Sequence, residues 1–192
     1  MTKELEIEYK NMLTKDEYQR LLSHFNFTYQ EAHVQVNHYF DTPDGQLRKQ
    51  KCALRIRQTD KEIECTLKTP APDGNYEITD ELTEEQAAAM LNGEGFFAPE
   101  VTETLESLNI APADLQPFGT LTTRRLEAPH EEGLLVFDHS EYGTEEDYEL
   151  EYETEDAVKG KERFEQFLKE HHIPARPADK KIARLVKYLT RD

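Results

Sequence analysis

The sequence has few cysteines and no long apolar run, and each shortage excludes a class of protein. Its 192 residues include two cysteines, Cys52 and Cys65, which are too few for a disulfide framework and are not spaced as zinc ligands. No apolar stretch reaches the roughly 18 residues of a membrane span. The first ten residues are charged throughout and lack the apolar centre of an export signal. We therefore expect a reduced, cytoplasmic protein.

Several common active-site signatures are also missing. The sequence contains neither Gly-x-x-x-x-Gly-Lys-[Ser/Thr] nor Gly-x-Gly-x-x-Gly, so the usual nucleotide-binding loops are absent. It has three serines, none of them within Gly-x-Ser-x-Gly. Its seven histidines show no metal-ligand spacing, and His171 and His172 fall at a predicted helix end, where a cation complements the helix dipole.

Negative charge dominates the composition. The chain has 40 acidic and 23 basic residues, for a formal net charge of −17. A protein this acidic is a poor general binder of nucleic acid, because phosphate contacts need exposed lysine and arginine. If it binds a polyphosphate, positive charge must be gathered locally or supplied by a metal. The length suits one compact domain, and we expect a single domain over residues 1–192.

Capping residues and helical periodicity predict five helices. Thr14-x-x-Glu17 and Thr83-x-x-Gln86 are capping boxes, each followed by apolar residues at helical spacing. The segment around residues 83–116 is predicted to be a helical insertion. The predicted helices cover 14–25, 83–93, 99–108, 161–172 and 177–189.

The remaining segments predict about eight strands, the number at which a sheet closes around one small ligand. The fold class is therefore α+β: a closed, eight-stranded antiparallel β-barrel with helices packed outside. Residues 58–61 are predicted to form a hairpin turn. The predicted strands cover about 3–10, 33–41, 52–58, 62–69, 75–79, 118–127, 134–139 and 147–154.

Charged residues alternate with apolar ones along several of these strands. Because side chains two apart share a face, each strand has one charged and one apolar face. An ordinary surface strand gives the same pattern, but here acids lie on the first and last strands and bases on the middle ones. The helices need the apolar faces to pack on, which leaves the charged faces to line the barrel. The alternating charged positions are Glu4, Glu6, Glu8, Lys10, Arg55, Arg57, Glu64, Lys68, Asp147, Glu149, Glu151 and Glu153.

A charged lumen needs partners for its charges. Two like charges about 4 Å apart repel by roughly 4 kcal/mol at an effective dielectric near 20. Clustered carboxylates suit Mg²⁺ or Mn²⁺, and arginine side chains match phosphate oxygens. A metal-bound triphosphate would satisfy both halves, and internal Glu–Arg and Glu–Lys pairing without a ligand would satisfy them equally well. The alternation does not decide between these two interpretations.

Several motifs resemble those of the CYTH family, the triphosphate tunnel metalloenzymes. The resemblance begins with Glu6-Ile-Glu8-Tyr-Lys10, which matches the family signature Glu-x-Glu-x-Lys. Further blocks follow in the family's order, so the resemblance covers about residues 4–188. These blocks are Tyr39-Phe40-Asp41-Thr42, Ala53-Leu54-Arg55-Ile56-Arg57, Thr66-Leu67-Lys68, Asp138, Glu149-Leu-Glu151 and Lys181-Ile-Ala-Arg184.

The resemblance implies an eight-stranded tunnel that hydrolyses or cyclises triphosphate compounds with Mg²⁺ or Mn²⁺. The implied metal ligands are Glu6, Glu8, Asp138, Glu149 and Glu151. The implied phosphate ligands are Lys10, Arg55, Arg57, Lys68, Arg125 and Lys181. Arg124 is an alternative to Arg125, Lys180 is an alternative to Lys181, and Glu77 is a further candidate for the lumen. Lys10, Glu6 and Glu8 are the expected catalytic group, with Lys10 orienting or neutralising the developing charge.

The leading functional hypothesis is metal-dependent hydrolysis of a triphosphate, either inorganic triphosphate, thiamine triphosphate or a nucleoside triphosphate. Cyclisation of ATP, as in the class IV adenylate cyclases of the family, is the second. The third is a non-catalytic binder of triphosphate or polyphosphate nucleotides, which would keep the basic residues but need not keep every acid. The expected partner is a small-molecule triphosphate rather than nucleic acid or a membrane, and the chain is expected to be a monomer or homodimer.

Overall fold

The computed structural model describes residues 3–191, which form eight strands, six helices and two short 3₁₀ turns. The strands are β1 (Lys3–Leu13), β2 (His33–Asp41), β3 (Ala53–Gln58), β4 (Ile63–Ala71), β5 (Gly74–Glu81), β6 (Gln116–His130), β7 (Gly133–Tyr142) and β8 (Glu145–Thr154). The helices are α1 (Lys15–His24), α2 (Gln46–Lys49), α3 (Glu84–Leu91), α4 (Pro99–Ser107), α5 (Ala157–Glu170) and α6 (Lys181–Leu189). The 3₁₀ turns are Tyr29–Glu31 and Pro112–Asp114.

The eight strands form a closed barrel in the order β1-β5-β4-β3-β2-β6-β7-β8. Its register sets charged side chains side by side on neighbouring antiparallel strands. Lys10 lies opposite Glu151 in the β1/β8 pair, and Lys68 lies opposite Glu77 in the β4/β5 pair. The predicted α+β fold with a closed antiparallel barrel is confirmed.

The chain divides into two compact units. The first unit comprises Val36–Thr120 with the start of β1, and the second comprises Glu6–Gln35 with the chain from Leu121 onward. The expectation of a single domain over residues 1–192, with a helical insertion near 83–116, stays a prediction. No helix within residues 3–191 has both the length and the apolar character needed to cross a membrane.

The core of the first unit lies between its strands and its helices. The apolar faces of β3, β4 and β5 pack against α2, α3 and α4, as in the contacts among Leu54, Leu67 and Val101, which are all fully buried. Cys52 and Cys65 belong to this core as free thiols, so both cysteines lie on the apolar side, as the alternation predicted. The charged faces of the same strands point away from this core.

The core of the second unit has the same arrangement. The apolar faces of β6, β7 and β8 pack against α1 and α5, with Leu21, Phe137, Leu150 and Phe167 buried in the contact. Phe137 is also in ring contact with Phe25, which follows α1. Since helices cover the apolar faces in both units, the charged faces line the barrel interior, as expected from the sequence.

Most predicted elements are found. Strands β1, β6 and β7 extend beyond their predicted ends, and the starts of α5 and α6 are shifted by four residues each. Helix α5 begins at Ala157 rather than 161, because the side chain of Asp156 caps it by accepting from the backbone N–H groups of Val158 and Lys159. Helix α6 begins at Lys181 rather than 177. The segment before α6 is hydrogen-bonded to β1 instead, since the N–H of Arg176 donates to Asn11 Oδ1 at 2.7 Å. The short helix α2 was not predicted.

Two apolar truncations test which face of β8 lies in the core, because they should differ in their effect on the free energy of unfolding. Leu150→Ala should lower the free energy of unfolding by about 2–5 kcal/mol, because Leu150 is fully buried between β8 and the helices. Val158→Ala is the control, since Val158 is 71% exposed, and it should leave the stability unchanged. Urea unfolding measures both. Equal stability of the two variants would contradict the placement of the apolar face.

Candidate functional site

The first unit carries a basic face on β3 and β4, which we define as Arg55, Arg57 and Lys68. All three lie on the faces of β3 and β4 that point away from the unit's core. Glu77 on β5 is their main acidic neighbour: its carboxylate lies 3.0 Å from Lys68 Nζ and 4.0 Å from an Arg55 amino group. Burial alone would raise the pKa of Glu77, but Lys68 and Arg55 outweigh it and hold that pKa below its usual range. Glu77 therefore lies on the same charged face as Lys68 and Arg55, which agrees with its choice from the sequence as a further candidate for the lumen.

The two arginines of the basic face differ in their hydrogen bonds. Arg57 Nε donates to Oδ1 of Asn37 at 2.8 Å, and Asn37, directly opposite on β2, is fully buried. This bond fixes the plane of the Arg57 guanidinium. Arg55 Nε is buried and has no hydrogen-bond acceptor among residues 3–191. A buried donor without an acceptor is costly, so the basic face is suited to an anion.

The second unit contains a cluster of opposite charges around β8, which we call the β8 cluster. We define it as Lys10, Arg125, Lys181 and Arg184 with the carboxylates of Glu8, Asp138, Asp147, Glu149 and Glu151. Lys10 Nζ lies 3.0 Å from Glu8, 3.4 Å from Glu151 and 3.6 Å from Glu149. Burial disfavours a charged lysine, but Glu151, Glu8 and Glu149 outweigh it and raise the pKa of Lys10. Lys10 therefore stays protonated.

Arg125 and Lys181 both bind the buried carboxylate of Asp138. Arg125 donates from Nε and one amino group to the two Asp138 oxygens at 2.8 and 2.7 Å, and the same amino group contacts Glu151 at 3.0 Å. Lys181 Nζ lies 2.7 Å from Asp138 and 2.6 Å from Glu151. Burial would raise the pKa of Glu151, but Lys181, Lys10 and Arg125 hold it well below its usual value. These carboxylates are ionised and paired.

Helix α6 approaches the charged faces of β7 and β8, whereas α1 and α5 pack on their apolar faces. Lys181 and Arg184 lie one turn apart in α6. Arg184 donates to Asp147 at 2.8 Å and to Glu149 at 2.5 Å. The side chain of Leu185 in the same helix is buried. Helix α6 thus supplies two of the four cations of the β8 cluster.

Three carboxylates of the second unit lie close together, with Lys10 Nζ 3.0 Å from Glu8 and an Arg125 amino group 4.0 Å from Glu153. Glu6, Glu8 and Glu153 each offer an oxygen, and these oxygens lie within 4.8 Å of one another. Burial raises the pKa of Glu153 to about 7; Arg125 opposes this rise, and the carboxylates of Glu151 and Glu6 add to it. We call these residues the carboxylate trio. Oxygen ligands in such a group suit a hard divalent cation.

Charge balance shows where a metal would fit. The β8 cluster and the carboxylate trio together contain seven carboxylates and four cations, an excess of three negative charges. Asp138, Glu149 and Glu151 each have at least two basic partners. In the carboxylate trio, Glu8 and Glu153 lie near Lys10 and Arg125, cations that they share with those three carboxylates. The internal pairing that the sequence left open is therefore present in the second unit, and it leaves room for a cation at the trio.

The predicted site residues fall into three groups in the structure. Glu8, Lys10, Asp138, Glu149, Glu151, Arg125 and Lys181 come together in the β8 cluster, Glu6 lies in the carboxylate trio, and Arg55, Arg57 and Lys68 form the basic face. Their roles as metal and phosphate ligands stay predictions. Arg124 points to the other side of β6, where its Nε lies 3.7 Å from Glu141. Lys180 is exposed at the start of α6.

Sequence reasoning named Glu153 and Arg184 without giving them a role in the site, and it missed Asn37. Glu153 continues the alternation of Glu149 and Glu151, so strand periodicity contained the signal. Arg184 lies one helical turn after Lys181, which helical periodicity could have indicated. Asn37 had no such signal, because its pairing with Arg57 depends on the register of β2 and β3.

The buried pairing predicts a large stability effect at Asp138. Asp138→Asn removes the charge that Arg125 and Lys181 share, so the free energy of unfolding should fall by about 3 kcal/mol. Glu165→Gln breaks an exposed pair with Lys161 and should have no measurable effect. In a double-mutant cycle, Lys181→Met should recover part of the loss in Asp138→Asn. Strict additivity in chemical denaturation would contradict the shared pairing.

Comparison with known proteins places the chain in a family. The CYTH domain profile matches residues 4–186. The curated protein "Putative triphosphatase YjbK" of Bacillus subtilis is 41% identical over 186 residues, which cover 96% of this chain and 95% of YjbK.

Solved structures agree with this result. A putative adenylate cyclase from Bacillus halodurans matches with a TM-score of 0.92 and 38% identity, covering 96% of this chain and 98% of that one. A putative adenylyl cyclase from Hippeastrum, described as having a dominant triphosphatase activity, matches with a TM-score of 0.76 and 26% identity over 96% of both chains. The family profile spans nearly the whole chain, and the barrel has the fold of these relatives. The chain therefore belongs to the CYTH domain family.

Proposed function

We propose that this chain is a metal-dependent triphosphatase, which hydrolyses a phosphoanhydride bond of a small triphosphate compound. The name of its relative YjbK and the activity described for the Hippeastrum protein support hydrolysis. The observation that carries the proposal is the carboxylate trio beside a cluster whose other charges are already paired. We further propose that the protein acts in the cytoplasm, as a monomer or homodimer.

The metal would be held by Glu6, Glu8 and Glu153. Their oxygens lie within 4.8 Å of one another, and all three residues are partly buried. All-oxygen ligands of this kind suit Mg²⁺ or Mn²⁺. Bound there, Mg²⁺ or Mn²⁺ supplies electrostatic catalysis, since it neutralises phosphate oxygens and lowers the pKa of water. Asp138, Glu149 and Glu151, which the resemblance also implies as ligands, are paired with Arg125 and Lys181 and would reach a metal only with these two cations drawn to phosphate.

The phosphate ligands that the resemblance implies are Arg55, Arg57 and Lys68 of the basic face and Lys10, Arg125 and Lys181 of the β8 cluster. Arg57, whose Nε is occupied by Asn37, presents its two amino groups, and these match two phosphate oxygens. Arg55 has a buried Nε without an acceptor, which a phosphate oxygen would satisfy. Lys68 adds a third positive charge, with its Nζ 3.0 Å from the carboxylate of Glu77.

Lys10 is the residue best placed to act on the developing charge. Its ammonium group is bound by three carboxylates, so its position is fixed and its proton is retained. A fixed cation stabilises negative charge that accumulates in the transition state, because no reorganisation is needed when the reaction occurs. Phosphoryl transfer needs positioning and charge stabilisation above all, so the site requires no histidine as general base.

The basic test is phosphate release from inorganic triphosphate, thiamine triphosphate and ATP with Mg²⁺, Mn²⁺ or EDTA. Release with either metal and none with EDTA supports the proposal and ranks the substrates. Cyclic AMP and pyrophosphate from ATP would instead identify a cyclase. Tight triphosphate binding without any product would identify a non-catalytic binder.

Two lumen substitutions should lower turnover. Glu6→Gln removes a charge from the carboxylate trio, and Arg57→Ala removes a phosphate ligand, so each should lower kcat/KM by well over tenfold, or more than about 1.4 kcal/mol in transition-state binding. Glu4→Gln is the matched control, because Glu4 is exposed on the same strand two residues earlier. Near-normal activity of Glu6→Gln would refute the metal-ligand assignment.

Glu153→Gln separates metal binding from chemistry. Loss of this charge should raise the Mn²⁺ concentration for half-maximal activity by about tenfold or more, by analogy with other metal-site substitutions. Titration calorimetry with Mn²⁺ in the absence of substrate should show the same weakening. Glu155→Gln changes an exposed glutamate beyond the strand and serves as control. An unchanged Mn²⁺ affinity in Glu153→Gln would exclude Glu153 as a ligand.

A further inference from the structure

A second group of metal-ligating side chains lies on the opposite face of β7. Asp138 belongs to the β8 cluster, and its neighbour His139 therefore points to the outer side of the strand. There His139 lies with Glu141 and Glu146, and one ligand atom from each lies within 4.8 Å of the others. No residue of this group is used by the proposed triphosphatase site.

The imidazole of His139 is held in one orientation. It is 6% exposed and stacks on the ring of Tyr148, with centroids 4.5 Å apart and planes within 9°. Its Nδ1 lies 2.8 Å from the hydroxyl of Tyr29, and its Nε2 lies 2.8 Å from Glu146 Oε2. In metal-binding histidines one ring nitrogen is held by a hydrogen-bond partner and the other binds the metal. Tyr29 can hold Nδ1 in this way, which leaves Nε2 as the ligand beside Glu146.

The two glutamates are forced together by the β7/β8 hairpin. Glu141 and Glu146 lie directly opposite each other in the antiparallel pair, where like charges are destabilising. Both carboxylates oppose ionisation of the neighbouring phenols and contribute, after burial, to the raised pKa values of Tyr29 and Tyr148. The nearest positive charge is Arg124, whose Nε lies 3.7 Å from Glu141.

We propose that His139, Glu141 and Glu146 form a second, outer site for a divalent transition-metal cation such as Zn²⁺. Nitrogen and carboxylate ligands at about 2.0–2.2 Å from Zn²⁺ are about 3.5 Å apart in a tetrahedral site, so the group needs side-chain shifts of only about 1 Å. With the metal bound, Nδ1 carries the ring proton and donates it to the Tyr29 hydroxyl, and Nε2 is the ligand. The mixed ligand set distinguishes this site from the all-oxygen carboxylate trio.

The position of the site suggests a structural role for the bound cation. Its ligands come from the β7/β8 hairpin, and Tyr29, which fixes the imidazole, lies in the 3₁₀ turn that follows α1. A bound cation would tie this turn to the hairpin and stabilise the second unit. The proposal does not depend on the proposed function, since it concerns the other face of β7.

The test is calorimetric titration of the whole chain with Zn²⁺ in the presence of excess Mg²⁺, which competes for the all-oxygen ligands. The wild-type protein should bind one Zn²⁺ more than His139→Gln, or bind it at least tenfold more tightly. Glu141→Gln and Glu146→Gln change half-exposed side chains and should also weaken binding, so the test does not rest on a buried substitution alone. His33→Gln, at an exposed histidine, is the control.

Two further variants separate a built site from general attraction to negative charge. Tyr29→Phe removes the partner of Nδ1 and should weaken Zn²⁺ binding about tenfold, as losses of such supporting partners do. Arg124→Gln removes a competing cation and should tighten binding about threefold or more. The proposal is overturned if wild type and His139→Gln bind Zn²⁺ with equal stoichiometry and affinity, or if the Zn²⁺ that wild type binds is fully displaced by Mg²⁺.

Discussion

The structure depends on one constraint, which is that charged side chains removed from water must be paired. Because the strands alternate and helices cover their outer faces, every charged residue on an inner face is enclosed by the barrel. In the second unit, Asp138, Glu149 and Glu151 satisfy the constraint with Lys10, Arg125 and Lys181. Removing one partner at these positions would leave an uncompensated buried charge, which is strongly destabilising.

The two units satisfy this constraint in different ways. In the first unit, Arg55, Arg57 and Lys68 all lie near the carboxylate of Glu77, and Arg55 keeps a buried donor without an acceptor within the described chain. In the second unit, seven carboxylates face four cations in the β8 cluster and the carboxylate trio, so each cation is shared among several carboxylates.

Helix α6 shows how much of the site comes from outside the strands. Its Lys181 and Arg184 neutralise Asp138, Asp147 and Glu149, so part of the pairing comes from a helix that is far from these strands in sequence. Strand β7 likewise contributes residues to two different groups, one on each of its faces. Successive residues of one strand, Asp138 and His139, serve two different groups, because alternation directs them to opposite faces.

The sequence by itself determined the class of fold, the strand faces and most of the charged residues of the site. Alternation and capping are local properties, so Glu149, Glu151 and the start of α1 could be predicted without tertiary information. Only the tertiary structure decided which charges meet. The choice of Arg125 over Arg124, the partnership of Asn37 with Arg57 and the placement of Glu153 beside Glu6 depend on strand register, which long-range pairing sets and local sequence does not.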